Sequence, residues 1–286
     1  LEGGASISRE GEEEANISHA IPRITQFHFG PSTSGDGSES DPDGIPTRFL
    51  QMQKGHRRKA KKAFETTVAW REANEINTIL SKPQPNYDQC RHVFPLMVVG
   101  RTPKTDHIIF FQQPGRVNLT LGADYRFGLQ DIMMNYVFMM EYIWNIFEQD
   151  NHNATMVNII DFSGLGFLTP KDFGFAKHFI SIMSTHYPGR SFKTFILNGP
   201  GWFARVYALV KPLLRPSTRQ KIVVVEKHKE REILEEFLGK DHASVILDRC
   251  RNNASLTRST MDEEIRNFCL QRLEASGLKM LETIRL

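Results

Sequence analysis

Five short apolar runs, separated by longer amphipathic stretches, set the pattern of this chain. Pro95–Val99, His107–Phe111, Met156–Ile160, Lys193–Leu197 and Ile222–Val225 are rich in Val, Ile and Phe, which predicts buried strands. Gly100–Asp106 supplies a turn that would pair the first two as a hairpin. After the third run, Phe173, Ala176, Phe179, Ile180 and Met183 recur at helical spacing, with Thr169 as the cap and Pro170 at the first helical position. After the fourth, the turn Asn198-Gly199-Pro200-Gly201 leads into an amphipathic segment from Trp202 to Leu214. Trp202, Val206, Leu209, Val210 and Leu213 share one side of it, and Pro212 should kink or end it. Two strand–helix–strand units in succession predict an α/β fold with a mostly parallel sheet flanked by helices.

The remaining stretches attach to that frame. Residues 124–149 are apolar on most sides, which predicts a helix that is central or packed over the sheet. Its methionines suit an adaptable cavity wall as well as a core. Residues 45–80 read as one helix with Pro46 in the first turn and a stripe of Ala60, Phe64, Val68, Ala69 and Trp70. Residues 81–92 read as a connector, because Pro83 and Pro85 disfavour regular structure. Further on, 229–238 predicts an amphipathic helix, Val245-Ile246-Leu247 a short strand or extended segment, and 261–285 a helix with Ile265, Phe268, Cys269 and Leu273 on one face. Residues 1–44 are rich in Gly, Ser, Glu and Asp and predict a disordered segment, with Ile21, Phe27 and Phe29 available to dock locally. The organisation is then a 1–44 segment, a 45–90 helical region with its connector, a 91–248 globular domain and a 249–286 tail.

Composition narrows the function classes. An apolar fraction of 40% over 286 residues allows one sizeable core. The net charge is only +3, but six cations crowd into nine positions: Lys54, Arg57, Arg58, Lys59, Lys61 and Lys62. Aromatic residues are not interleaved with them, so we expect attraction to anionic membranes, and no nucleic acid as partner. The three cysteines stand far apart and have no zinc spacing, which favours a reducing compartment. The chain begins at Leu1 rather than Met, so we read it as a fragment with room for an upstream signal or domain. No P-loop, GxSxG, HExxH or GxGxxG is present, and no enzymatic activity or cofactor is expected.

The run Tyr187-Pro188, the strand into Asn198, the bulky segment with Lys211-Pro212-Leu213-Leu214, then Pro216-Ser217-Thr218 and Lys221-Ile222 resembles the lipid-binding domain of the Sec14 family, also called CRAL-TRIO. Arg48-Phe49-Leu50 through Trp70-Arg71 resembles the small helical region that precedes that domain, and Asp161-Phe162-Ser163-Gly164 resembles the family's strand-end aspartate and glycine. The likeness covers about 45–248. It implies a hydrophobic pocket closed by a gate helix, with Trp202, Phe203, Val206, Val210, Leu213, Met139, Trp144, Phe179 and Met183 as gate and wall.

The family's phosphatidylinositol signature matches at Lys54, Thr218 and Lys221, whereas Gln53 replaces an Arg and Gly189 a Glu. The closing Gly-Gly is also missing from Ala243–Asp248. The resemblance therefore implies a monomer that carries a phospholipid, phosphatidylinositol included, with a sterol or isoprenoid left open. It would be cytoplasmic and peripherally associated with membranes through Arg57, Arg58, Lys59, Lys61 and Lys62. An alternative is an interaction module with a degenerate pocket. The weakest reading is haem binding at His186-Tyr187, because some fungal members of the family bind haem.

Overall fold

The computed structural model describes residues 44–151, 153–165, 170–203, 207–208, 211–214, 216–251 and 258–283. The 1–43 segment, with Ile21, Phe27 and Phe29, therefore lies outside the described residues, as do Thr169, Val206, Leu209 and Val210. Much of the expected helix from Trp202 to Leu214 is outside them too.

The strands stand in chain order: β1 (Leu96–Arg101), β2 (Ile108–Gln112), β3 (Met156–Asp161), β4 (Ser191–Leu197) and β5 (Ile222–Val224). The first pair is antiparallel and the other three pairs are parallel. All five apolar runs are thus strands of one mixed, mostly parallel sheet. Alternation along each strand sends side chains to opposite faces. Val98, Ile108, Phe110 and Met156 belong to one buried cluster, and Met97, Val99, Ile109, Phe111, Val157, Ile159, Phe195 and Leu197 to the other.

Among the described residues the helices are α1 (Thr47–Met52), α2 (Arg57–Ala73), α3 (Tyr87–Val93), α4 (Leu119–Asp124), α5 (Leu129–Tyr142), α6 (Pro170–His186), α7 (Pro216–Arg219), α8 (Glu230–Leu238), α9 (Lys240–Arg251) and α10 (Thr260–Ala275). α8 and α9 cover one sheet face through Leu234, Leu238, Ala243, Ile246 and Leu247. α3, α5 and α10 pack on the other through Tyr87, Phe138 and Ile265. Local capping fixes several starts. The Asn118 side chain accepts from the Leu121 N–H at 2.9 Å, and the Ser259 hydroxyl accepts from the Asp262 N–H at 3.0 Å.

Four expectations need correction. The 45–80 stretch is not one helix: Lys54 and Gly55 take φ of +53° and +80°, so α1 ends and the chain turns into α2. The 81–92 connector contains α3, since Pro83 and Pro85 precede the helix rather than interrupt it and Asp88 lies in its first turn. Val245-Ile246-Leu247 is helical, inside α9. Ala243, Ile246, Leu247 and Cys250 recur at helical spacing, and all four are buried. The inner face of α2 also differs. Ala69 is exposed, and the buried positions are Ala60, Thr67 and Arg71.

Candidate functional site

A cavity of about 640 Å³ lies against the sheet face that carries Met156. Its floor is Gln112 from β2, Asn158 and Ile160 from β3, Thr194 and Ile196 from β4, and Ile222 from β5. One wall is α6, with Ala176, Phe179, Ile180 and Met183 repeating at helical spacing. α5 adds Tyr136 and Met140, one turn apart, and α1 adds Arg48, Gln51 and Met52. The segment after β4 contributes Phe203 and Tyr207, whose rings lie 6.0 Å apart, and Phe203 also meets Phe162 at 5.0 Å.

One end of this cavity is cationic. Arg48 Nη1 donates to the Gly189 carbonyl at 2.8 Å and Nη2 to the Ala154 carbonyl at 2.7 Å. Arg190 Nη1 donates to the same Ala154 carbonyl at 3.2 Å, and its guanidinium lies 4.3 Å over the Trp144 ring. Lys221 Nζ donates to the Ser191 carbonyl at 2.6 Å. The 189–191 stretch therefore gathers three cations at one end of the cavity, which Thr218 also lines. Burial pushes the Arg48 guanidinium down to about 10. Burial, and then the Arg48 charge, lower both Arg190 and Lys221, while Glu141 and Glu148 partly offset this at Arg190. An anion in the recess would relieve that repulsion.

Two polar clusters hold the walls. Arg71 donates to both oxygens of Glu141, at 2.7 and 2.9 Å, and Tyr187, a wall residue, donates its hydroxyl to the same carboxylate at 2.6 Å. This ties α2 to α5 and to the end of α6. At the end of β3, Asp161 accepts from the Ser163 N–H and hydroxyl, from Asn198 and from Gln113. That fixes the turns at the carboxyl ends of the parallel strands, where ligands of open α/β sheets bind.

The structure brings Phe179, Met183, Phe203, Thr218 and Lys221 to the cavity. It places others elsewhere. Met139 is fully buried and takes a hydrogen bond from the Tyr87 hydroxyl, because the helical turn that presents Tyr136 and Met140 to the cavity turns Met139 away. Trp144 lies in the core beneath Arg190. Trp202 is half-buried and does not line the cavity. Lys54 is exposed and off the cavity, carried outward by the left-handed turn after α1. Val206 and Val210 lie outside the described residues, and for Leu213 only the backbone, in a 3₁₀ turn, is described. Arg58, Lys59, Lys61 and Lys62 are exposed on α2, with Arg57 half-buried. The His186 ring stacks on Trp70 at 4.0 Å, and its Nδ1 is hydrogen-bonded to the Thr67 hydroxyl at 3.0 Å. Burial and the Arg71 charge push that imidazole down to about 4. Arg48 and Arg190 were missed as site residues. The only signal for Arg48 was its place in the Arg48-Phe49-Leu50 run.

The CRAL/TRIO domain profile matches residues 95–247, just over half of the chain. The chain belongs to the CRAL/TRIO family. It is 23% identical over 203 residues to the SEC14 cytosolic factor of Eremothecium gossypii, covering 68% of this chain and 65% of that protein. To the SEC14 cytosolic factor of Candida glabrata it is 24% identical over 211 residues, covering 68% and 67%. The match thus spans about two thirds of these relatives' length. The crystal structure of Sfh5 aligns with a TM-score of 0.56 over 84% of this chain and 86% of that one, at 16% identity, which is a likeness of fold. CRAL/TRIO proteins are typically non-catalytic lipid binders, and the apolar cavity belongs to that class. Among the described residues no helix is long and apolar enough to cross a membrane.

Proposed function

We propose that this CRAL/TRIO protein binds a phospholipid, its acyl chains in the apolar part of the cavity and its phosphate in the recess of Arg48, Arg190, Lys221 and Thr218, and presents it at membranes. The observation that carries this reading is the pairing of an apolar cavity with two buried arginines and the half-buried Lys221 at one end. Each CH₂ withdrawn from water contributes about 0.8 kcal/mol, so the chains supply affinity and the recess supplies selectivity. Phosphatidylinositol falls within this class. At Gly189, which stands where the family signature has Glu, φ is +71°, and an added Cβ would come within 3.3 Å of Arg48 Nη1. Arg48 thus lies directly beside the position that carries the Glu in the family signature. The open cavity favours ligand carriage over an interaction module with a blocked pocket. His186, engaged by Trp70 and Thr67 and off the cavity wall, gives haem no support. The basic face of α2 adds long-range attraction to anionic headgroups, and the segment between β4 and β5 would open at the surface.

Native mass spectrometry of the folded protein, followed by denaturing lipid extraction, tests this. The expected result is a phospholipid at about one per chain, with Lys221→Ala and Thr218→Val lowering retention. No bound lipid, and none taken up from mixed liposomes, would overturn it.

A further inference from the structure

The outer face of α2 is charged and unpaired. Arg58, Lys59, Lys61 and Lys62 are exposed, and none of them makes an ion pair among the described residues. The one carboxylate within a turn of them, Glu65, makes none either. No acidic residue lies in the first turn of α2, so the positive end of the helix dipole adds to the repulsion among these cations.

The chain that leads into this region is acidic. Residues 1–43 hold nine carboxylates and two arginines. The last four carboxylates, Asp36, Glu39, Asp41 and Asp43, stand in a stretch with no Lys or Arg between Gly30 and Gly44. The net charge of +3 over the whole chain therefore hides two parts of opposite sign.

The point of entry brings the two together. Ile45 packs in one small cluster with Phe49, Leu50 and Ala60, so the acidic stretch ends beside α2. Ala60 is buried, and Arg58 and Lys62, two residues to either side, stand about 160° round the helix from it. Half the girth of a helix about 11 Å across is roughly 17 Å. About five extended residues, at roughly 3.3 Å each, span that arc. Asp43 and Asp41 then fall at the flank of α2, and Glu39 and Asp36 reach its outer face. A partner tethered this closely acts at a millimolar effective concentration.

We infer that residues 36–43 dock across the Arg58–Lys62 face of α2 through Asp36, Glu39, Asp41 and Asp43, and hold it off membranes until a strongly anionic surface displaces them. This rests on the reading of α2 as an element that attracts anionic headgroups, and it adds a restraint to that reading. Exposed ion pairs are weak and screened by salt, so they exchange readily for the denser charge of an anionic bilayer. The segment thereby sets a threshold of membrane charge.

The test uses the full chain and a variant with Asp36→Asn, Glu39→Gln, Asp41→Asn and Asp43→Asn. A second variant, with Glu10→Gln, Glu12→Gln, Glu13→Gln and Glu14→Gln, makes the same change of net charge farther from α2. Neither alters a described residue. Without membranes, acetylation of Lys59, Lys61 and Lys62 by an amine-reactive ester is followed by mass spectrometry against the exposed Lys104. The first variant is expected to react about threefold or more faster at the α2 lysines, the effect of four exposed ion pairs. It should also bind phosphatidylserine vesicles more tightly at low salt, by a similar factor, while the second variant stays near the wild type. Equal labelling of the wild type and the first variant would overturn the docking and leave the attraction of α2 to membranes intact. An equal rise in both variants would overturn the placement, because net charge alone would account for it. Protection that fades on dilution would overturn the contact within one chain in favour of the acidic segment of a second copy. Faster labelling with no gain in vesicle binding would overturn the restraint. No vesicle binding by the wild type or either variant would overturn the reading of α2 on which it rests.

Discussion

Glu141 holds more of the site together than its place in an apolar helix suggests. Its carboxylate takes two bonds from Arg71, one from Tyr187 and one from Asn145, all in a buried setting. Removing one charge would leave the other buried and unpaired. Glu141→Leu is expected to cost about 3–5 kcal/mol, whereas Arg71→Met with Glu141→Leu should cost less, because two well-packed apolar groups replace the pair. Urea unfolding of the two variants checks this, and equal losses would show that the charges do not act as a pair. The residues of this cluster are 70 and 46 positions apart in sequence, so no local pattern announces them. A Glu within the apolar 124–149 stretch was the one visible clue that a buried partner existed. The same reason hid Arg48, whose acceptors are carbonyls 141 and 106 residues away.

Most elements were legible because their signals are short-range. The strands show as β-rich runs, α6 as a 3.6-residue stripe, and α10 through Ile265, Cys269 and Leu273. The errors fell where one signal masked another. Prolines before α3 hid the helix behind them, and β-branched residues in α9 hid its helical period. The break between α1 and α2 rests on a backbone turn at Lys54-Gly55, and it decides which side chains of the helical region reach the cavity: Arg48, Gln51 and Met52, but not Lys54. The turn after β2 is a tighter constraint. A Cβ on Gly115 would meet the backbone oxygens of Ser163 and Phe162 at 2.6 and 2.7 Å. Gly115→Ala must push the end of β3 away from that of β2, two sides of the cavity mouth. It should cost about 1–3 kcal/mol in denaturant unfolding and weaken ligand retention. An unchanged unfolding midpoint would mean that this approach is looser than the geometry requires.

Across the molecule, two groups of cations bear on function. One set, two buried arginines and the half-buried Lys221, stands at the cavity end, and the other lies exposed on α2. The second set should act through the solvent on anionic membranes, at about 1 kcal/mol per Lys or Arg near the surface. Reversing Arg58, Lys61 and Lys62 to Glu is expected to weaken binding to phosphatidylserine vesicles at least tenfold at low salt, while one lipid per chain is still retained. Vesicle sedimentation across a salt series reads this, and unchanged binding would remove α2 from the membrane surface. The strand runs, the helical character of α5, α6, α8 and α10, the basic cluster and the family resemblance were legible in the order of residues, because each is a property of neighbours along the chain. The cavity and its cationic end were decided only when β2, β3, β4 and β5 came into register and α1 turned back over them. Those features join side chains that are far apart in sequence, and their chemistry depends on burial, which folding alone confers.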